Sequence, residues 1–160
     1  MRIENVADHP TLVALIGRWH WDEWGHADPA GSLETWTASL RRRTGRDSVP
    51  ATYVALDGVT PVGSVGLVVH DMPDRADLAS LTPWVAGTFV VPDRRGLGVG
   101  RLLVEHAATA ARRMGVPRLY LYASDAAPFY ERLGWERLMD GGVYEGERVT
   151  IMTLDLGSPD

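Results

Sequence analysis

Apolar positions change their spacing several times along the chain, and each change marks a predicted element. After Asp8-His9, Pro10 suits the first turn of a helix, and Leu12, Leu15, Ile16 and Trp19 recur at helical intervals before Gly25. Ser32 with Glu34 and Thr35 opens a second helix through Leu40. It ends in Arg41-Arg42-Arg43, where positive side chains suit the negative end of the helix dipole and read as a solvated helix end. Thr52 to Leu56 and Val62 to Val69 read as two strands joined by the turn Asp57-Gly58. Asp71 to Ala79 is polar and rich in turn formers, and Trp84 to Val91 is a third strand stopped by Pro92. Gly98 to Met114 is the clearest helix: Val99, Leu102, Leu103, His106, Ala107, Ala110 and Met114 fall on one face, and Gly115 with Pro117 ends it. Leu119 to Tyr122 follows a crossover helix and should therefore run parallel to Trp84–Val91. A short helix from Pro128 to Leu133 stops at Gly134. Trp135–Met139 and Val149–Leu156 then close as an antiparallel pair, with a loose tail from Gly157 to Asp160. The order predicts one layered α/β domain spanning 1–160 around a mixed sheet.

Composition narrows the chemistry. A chain of 160 residues is long enough to bury roughly 70% of its unfolded surface without staples. It has no cysteine, which excludes disulfides, thiolate metal sites and a cysteine nucleophile. Lysine is absent too, so there is no Schiff-base lysine, pyridoxal phosphate anchor or P-loop lysine. A net charge of −5 gives no general reason to bind nucleic acid. The apolar run Thr11–Gly17 follows Glu4 and Asp8 and lacks a cleavage site, so it does not read as a signal peptide, and no stretch reaches membrane-spanning length. The expectation is a cytoplasmic protein without membrane or nucleic-acid partners.

The strongest chemical signal is Val90-Val91-Pro92-Asp93-Arg94-Arg95-Gly96-Leu97-Gly98-Val99-Gly100-Arg101. A strand runs into a turn with glycines on alternate positions, and a long helix begins there. Glycine lets the backbone approach a ligand closely, and the free N–H groups of a helix start favour phosphate. Arg94, Arg95 and Arg101 add charge suited to phosphate oxygens. The spacing G-x-G-x-G is not the dinucleotide fingerprint G-x-G-x-x-G.

At these residues the sequence resembles the GNAT N-acetyltransferase superfamily. Arg95-Gly96-Leu97-Gly98-Val99-Gly100 matches its R/Q-x-x-G-x-G/A signature for the acetyl-CoA pyrophosphate, and Phe129-Tyr130-Glu131-Arg132-Leu133-Gly134-Trp135 resembles its later FYxxLGF/W motif. The resemblance implies a mostly antiparallel central sheet with a splayed parallel strand pair, helices on both faces, and direct transfer of acetyl from acetyl-CoA to an amine, with CoA as product. Backbone groups at Phe89, Val90 and Val91 would hold the pantetheine arm, with Phe129 nearby. Where the family often has an asparagine before the tyrosine, this chain has Ala123-Ser124-Asp125 on a shorter spacing, so Ser124 and Asp125 are the candidates for that cofactor contact. The family also commonly pairs, which makes a homodimer an expectation.

Acetyl transfer asks that the attacking nitrogen lose a proton and the departing thiolate gain one. By its place in the motif Tyr130 is the candidate acid, since a phenol of pKa ~10 can protonate a thiolate whose conjugate acid is near ~8.5. Trp84–Val91 lacks the glutamate that family members often use as base; Asp71 is the first candidate, with His70, Glu23, His26 and Glu34 as alternatives. The missing strand glutamate favours an acceptor amine of lower pKa. Trp19, Trp21, Asp22, Glu23, Trp24 and His26 form an aromatic and acidic cluster in the family's acceptor-binding segment. Trp19 fits the core, while Trp21, Trp24, Glu23, His26 and Trp84 are candidates to hold a small-molecule cationic amine. His20 and His26 lack the third histidine that would suggest a metal site, so none is expected. A non-catalytic acyl-CoA sensor and a peptide N-acetyltransferase are the alternative functions.

Overall fold

The computed structural model of the chain describes residues 1–157. Beyond Gly157, the tail expected from the sequence lies outside the described residues. The main elements are β1 (Arg2–Asn5), α1 (Val13–Trp24), α2 (Leu33–Arg41), β2 (Ala51–Asp57), β3 (Thr60–Val68), β4 (Trp84–Val90), α3 (Val99–Arg113), β5 (Arg118–Ala123), α4 (Ala127–Arg132), β6 (Glu136–Tyr144) and β7 (Glu147–Asp155). Seven strands form one sheet in the order β1-β2-β3-β4-β5-β7-β6. Every neighbouring pair is antiparallel except β4 and β5, which is the mixed sheet with a parallel pair that the sequence implied.

Helices cover both faces. α3 lays Val99, Leu103, Val104, Ala107, Ala108 and Ala111 on one face, against Ala51, Tyr53, Val65 and Leu119 of the sheet. On the other face, Val13 and Ile16 of α1 and Leu40 of α2 meet Val54 and Leu56. A third cluster, built on Trp84, Met72 and Leu78, anchors the connection between β3 and β4. β2 is buried along six of its seven residues because both faces are covered.

Three local readings of the sequence are corrected. α1 buries Val13, Ile16, Gly17 and His20, whereas Leu15 is 38% exposed. The buried face is displaced because α1 packs closely on α2 at Gly17, where a Cβ would lie 2.6 Å from Thr37 Oγ1. On α3, Leu102 is exposed and Val104 and Ala108 take the inner positions. The sequence reading also missed β1, a short, polar edge strand paired with β2.

The feature that matters most lies in β4. Ser64 pairs with Phe89 and Gly66 with Ala86, so Gly87 and Thr88 together oppose Val65. Gly87 takes φ 63°, which only glycine adopts without strain. Beyond this bulge β4 no longer meets β5. The two share a single bridge, Trp84 with Tyr120, extended by Tyr120 N–H donating to Pro83 C=O at 3.1 Å. The strands therefore part towards their C-terminal ends.

Candidate active site

The parted ends of β4 and β5 open a cleft of about 860 Å³. One wall comes from α1, α2 and their connection, and the floor from Val85–Thr88 and Leu121–Ser124. The far wall comes from Tyr130 and from the β6–β7 hairpin around Tyr144, Glu145 and Glu147.

The glycine turn follows the C-terminal end of β4. Gly96 and Gly98 have φ 76° and 88°, and nothing lies within 4 Å of where a Cβ on either would sit. Their side of the turn is thus open to a ligand. Gly98 caps α3 without a side-chain hydrogen bond, and the first N–H to enter the helix ladder is that of Leu102, bonded to Gly98 C=O. The N–H groups of Val99, Gly100 and Arg101 precede it at the positive end of the helix dipole. Gly100 is helical, and a Cβ there would meet Phe129 at 3.6 Å and Val90 at 3.8 Å, ordinary contact distances.

The arginines of the turn are differently engaged. Arg94 forms an ion pair with Asp57, which neutralises the charge assigned to phosphate. Arg101 Nε bonds Glu105 Oε1 at 2.9 Å on the exposed helix surface. Arg95 places its guanidinium 5.5 Å from the Phe89 ring centre and donates from Nε to Val90 C=O at 2.8 Å, with its Nη groups left for an anion. Among the backbone groups, Phe89 pairs with Ser64, and Val91 N–H donates to Val62 C=O at 3.0 Å. Strand alternation leaves the N–H of Val90 facing the gap.

Tyr130 stands on α4 with its ring edge-on to Phe129 and Trp135. Burial raises its pKa, and the approach of the Thr88 hydroxyl pulls part of that shift back. The phenol therefore keeps its proton at neutral pH. Asp71 follows β3 at the cleft wall, where loss of hydration pushes its carboxyl up to about 7, with Arg43 opposing and Glu145 adding to the shift. Its charge also acts on Tyr122, Tyr130 and Tyr144. The candidate acid and base thus border one space.

The aromatic and acidic cluster divides. Glu23, Trp24 and His26 line the cleft. Trp21 does not: it meets Trp36 edge-on outside it, and its ring packs where a Cβ on Gly25 would sit. Trp84 is corrected to a core residue, 1% exposed, with its indole N–H donating to Leu81 C=O. Trp19 stacks on Phe89 at 5.4 Å. Ser124 lines the cleft but is held by Glu147, its hydroxyl 3.0 Å from the carboxylate, and Asp125 is exposed. Of the other candidate bases, His70 lines the cleft and Glu34 does not.

Sequence reasoning missed several lining residues. Trp36 donates from Nε1 to Asp28 at 2.7 Å, and both face the cleft. Arg43, read as part of a solvated helix end, turns inward and is half-buried. Glu145 sits at the hairpin tip with φ 52°, the one non-glycine residue at positive φ among those described. Burial raises its pKa, reinforced by Asp28 and Glu147. The sequence signal for this tip was Glu145-Gly146 between two strand-like runs, a two-residue turn pair. The cleft thus carries Glu23, Asp28, Asp71, Glu145 and Glu147 against one arginine.

Comparison with known proteins agrees with this layout. Residues 13–135 match the model of the acetyltransferase (GNAT) family. The chain belongs to that family. Over 89 residues it is 34% identical to a mycothiol acetyltransferase of Geodermatophilus obscurus, an alignment covering 53% of this chain and 28% of that protein. A streptothricin acetyltransferase of Streptomyces lavendulae is 35% identical over 75 residues, covering 41% of this chain and 40% of that one. The alignments span less than half of either relative. Among solved structures, an aminoglycoside 6'-N-acetyltransferase complexed with coenzyme A superposes with a TM-score of 0.76 at 16% identity, with both chains covered in full. The aminoglycoside 6'-N-acetyltransferase from Enterococcus faecium gives 0.72 at 15%, again with full coverage. At such identities the likeness establishes the fold. Among the described residues no helix is long and apolar enough to cross a membrane.

Proposed function

We propose that the protein transfers an acetyl group from acetyl-CoA directly to a primary amine of a small cationic molecule. The observation that carries this reading is the path of β4: it floors a carboxylate-rich cleft bordered by Tyr130 and Asp71, and its C-terminal end leads into the glycine turn whose ligand side is open.

The turn suits acetyl-CoA. The open side of Gly96 and Gly98, the leading N–H groups of α3 and the Nη groups of Arg95 fit a pyrophosphate, and Val90 N–H fits an amide of the pantetheine arm. When bound, acetyl-CoA supplies an activated acyl group as its thioester. The remaining chemistry belongs to the side chains of the cleft.

Asp71 accepts the proton of the incoming ammonium. A lysine-like amine of pKa ~10.4 costs about 4.6 kcal/mol to deprotonate at pH 7, whereas an α-amine near ~8 costs about 1.4 kcal/mol. Raising a carboxyl from 3.8 to about 7 makes it a better proton acceptor by about 4 kcal/mol. The neutral nitrogen attacks the thioester carbonyl and the C–S bond breaks; Tyr130, kept protonated by burial, gives its proton to the departing sulfur, and the second proton shed by the nitrogen restores the phenol. Carboxylates at Glu23, Asp28, Glu145 and Glu147, with Trp24 and Trp36 between them, favour an acceptor that brings positive charge.

The test is calorimetric titration with acetyl-CoA, CoA and NAD, followed by thiol release over pooled amines. Binding of both CoA species but not NAD, with thiol released for an amine class, supports the reading. Binding without release for any amine favours an acyl-CoA sensor, and no CoA binding refutes both.

A further inference from the structure

His20 is a buried titratable side chain that the transfer reaction above does not use. It projects from α1 onto the sheet, 9% exposed, its ring 5.2 Å from that of Trp24. Its Nε2 lies 2.8 Å from Ser64 Oγ, and that hydroxyl donates to Gly87 C=O over 3.0 Å. Because the Ser64 proton is committed to the carbonyl, Ser64 Oγ accepts from His20, which holds the imidazole as the neutral Nε2–H tautomer. Burial, reinforced by the charge of Arg43, pushes the imidazolium pKa down to about 4. The ring is therefore a fixed hydrogen-bond donor at neutral pH and carries no charge.

The carbonyl at the end of this relay belongs to the bulge. Gly87 and Thr88 oppose Val65 alone, so their peptide has lost its regular ladder partner. Without another constraint it can rock between orientations. Gly87 C=O and Thr88 N–H are the two ends of one planar trans peptide. Fixing the carbonyl on Ser64 turns Thr88 N–H the opposite way, away from β3. It also sets the start of Thr88, which lines the cleft with Tyr130. The fit is close on the other side as well, since a Cβ on Gly87 would lie 3.0 Å from His20 Cε1.

We propose that His20 and Ser64 are positioning residues for acetyl transfer: their two hydrogen bonds fix the Gly87–Thr88 peptide, and through it Thr88, which lines the cleft together with Tyr130. The proposal rests on the reading of Tyr130 as the acid of the reaction. Ser64 is fully buried, and His20, 9% exposed, reaches the cleft lining beside Gly87. The coupling runs through the backbone of the bulge.

The experiment compares Ser64→Ala, His20→Phe and His20→Gln with the parent protein. Ser64→Ala and His20→Phe break the relay and should lower kcat by about 10- to 100-fold, the scale expected for a small misplacement of a catalytic group. KM for acetyl-CoA should stay within about twofold, because the turn from Arg95 to Arg101 is untouched. His20→Gln keeps an N–H at the end of the side chain and should recover most of the loss. Ile16→Val, which trims a fully buried side chain on the same helix, controls for general loosening and should leave kcat as it was. Parent-like kcat in Ser64→Ala overturns the proposal, as does an equal loss in Ile16→Val. A readout independent of turnover separates this from failure of the transfer reading itself. The Thr88 backbone amide resonance should shift in Ser64→Ala and stay in place in Ile16→Val, whether or not any amine is acetylated. An unmoved Thr88 resonance refutes the relay.

Discussion

Replacing Asp71 by asparagine keeps the shape of the side chain and removes its ability to take a proton. The two consequences run in opposite directions. For activity, the carboxyl titrates at about 7, so the parent should gain kcat/KM as pH rises through 7 and then level off. Asp71→Asn should lose that limb and fall by about 10²- to 10⁴-fold at the plateau, the usual weight of a general base. For stability the sign reverses. The folded-state pKa stands above the unfolded value of 3.8, so the folded protein holds this proton more tightly than the unfolded chain does. The favourable contribution is fully present below pH 3.8 and is lost as pH rises to about 7. Ionised Asp71 thus weakens the fold at pH 8 by at most about 4 kcal/mol, and by less because the group is partly hydrated. Urea unfolding at pH 5 and pH 8 measures this. Asp71→Asn should gain stability over the parent at pH 8 and gain much less at pH 5. An equal difference at the two pH values would show that the carboxyl is not desolvated. A kcat/KM within about twofold of the parent would remove Asp71 from the mechanism.

Other outcomes follow from the same geometry. Tyr130→Phe should lower kcat by about 10²-fold while calorimetric affinity for acetyl-CoA is retained, and undiminished thiol release would remove the phenol as acid. Arg95→Glu puts a carboxylate where phosphate oxygens are expected and should weaken acetyl-CoA by at least about tenfold, while the same change at Arg94, already paired with Asp57, should act mainly through that ion pair. Gly98→Val meets no steric obstacle but forces a β-branched residue to φ 88°. It should cost about 1–2 kcal/mol in urea unfolding and weaken acetyl-CoA binding together.

The turn proposed to hold the cofactor was legible as structure because it is local. Strand, glycine turn and helix start are consecutive from Val90 to Arg101, so sequence spacing is also spatial spacing. The same holds for Phe129 to Trp135, and for Ser32, whose hydroxyl accepts from Thr35 N–H and caps α2 as expected. The errors here are of partner choice. Nothing in the sequence near Arg94 shows that Asp57, across the β2–β3 turn, claims it.

The acceptor half was much less legible, for a reason visible in its members. Glu23 and Trp24 come from α1, Asp28 and Trp36 from around α2, Asp71 from the loop after β3, and Glu145 from the β6–β7 tip. No spacing rule connects them. They meet where β4 and β5 part, beside the extra residue in β4. Gly87 announces no bulge in a strand read as Trp84–Val91, since a lone glycine there is equally consistent with an ordinary strand. The partner that fixes it, Ser64, is small and polar in the largely apolar run of β3, and His20 reads as a break in an apolar helix face. Each is a local inconsistency taken alone. Joined through 2.8 Å and 3.0 Å hydrogen bonds, the three become one device, and residues that fit the local pattern least are the ones that shape the cleft.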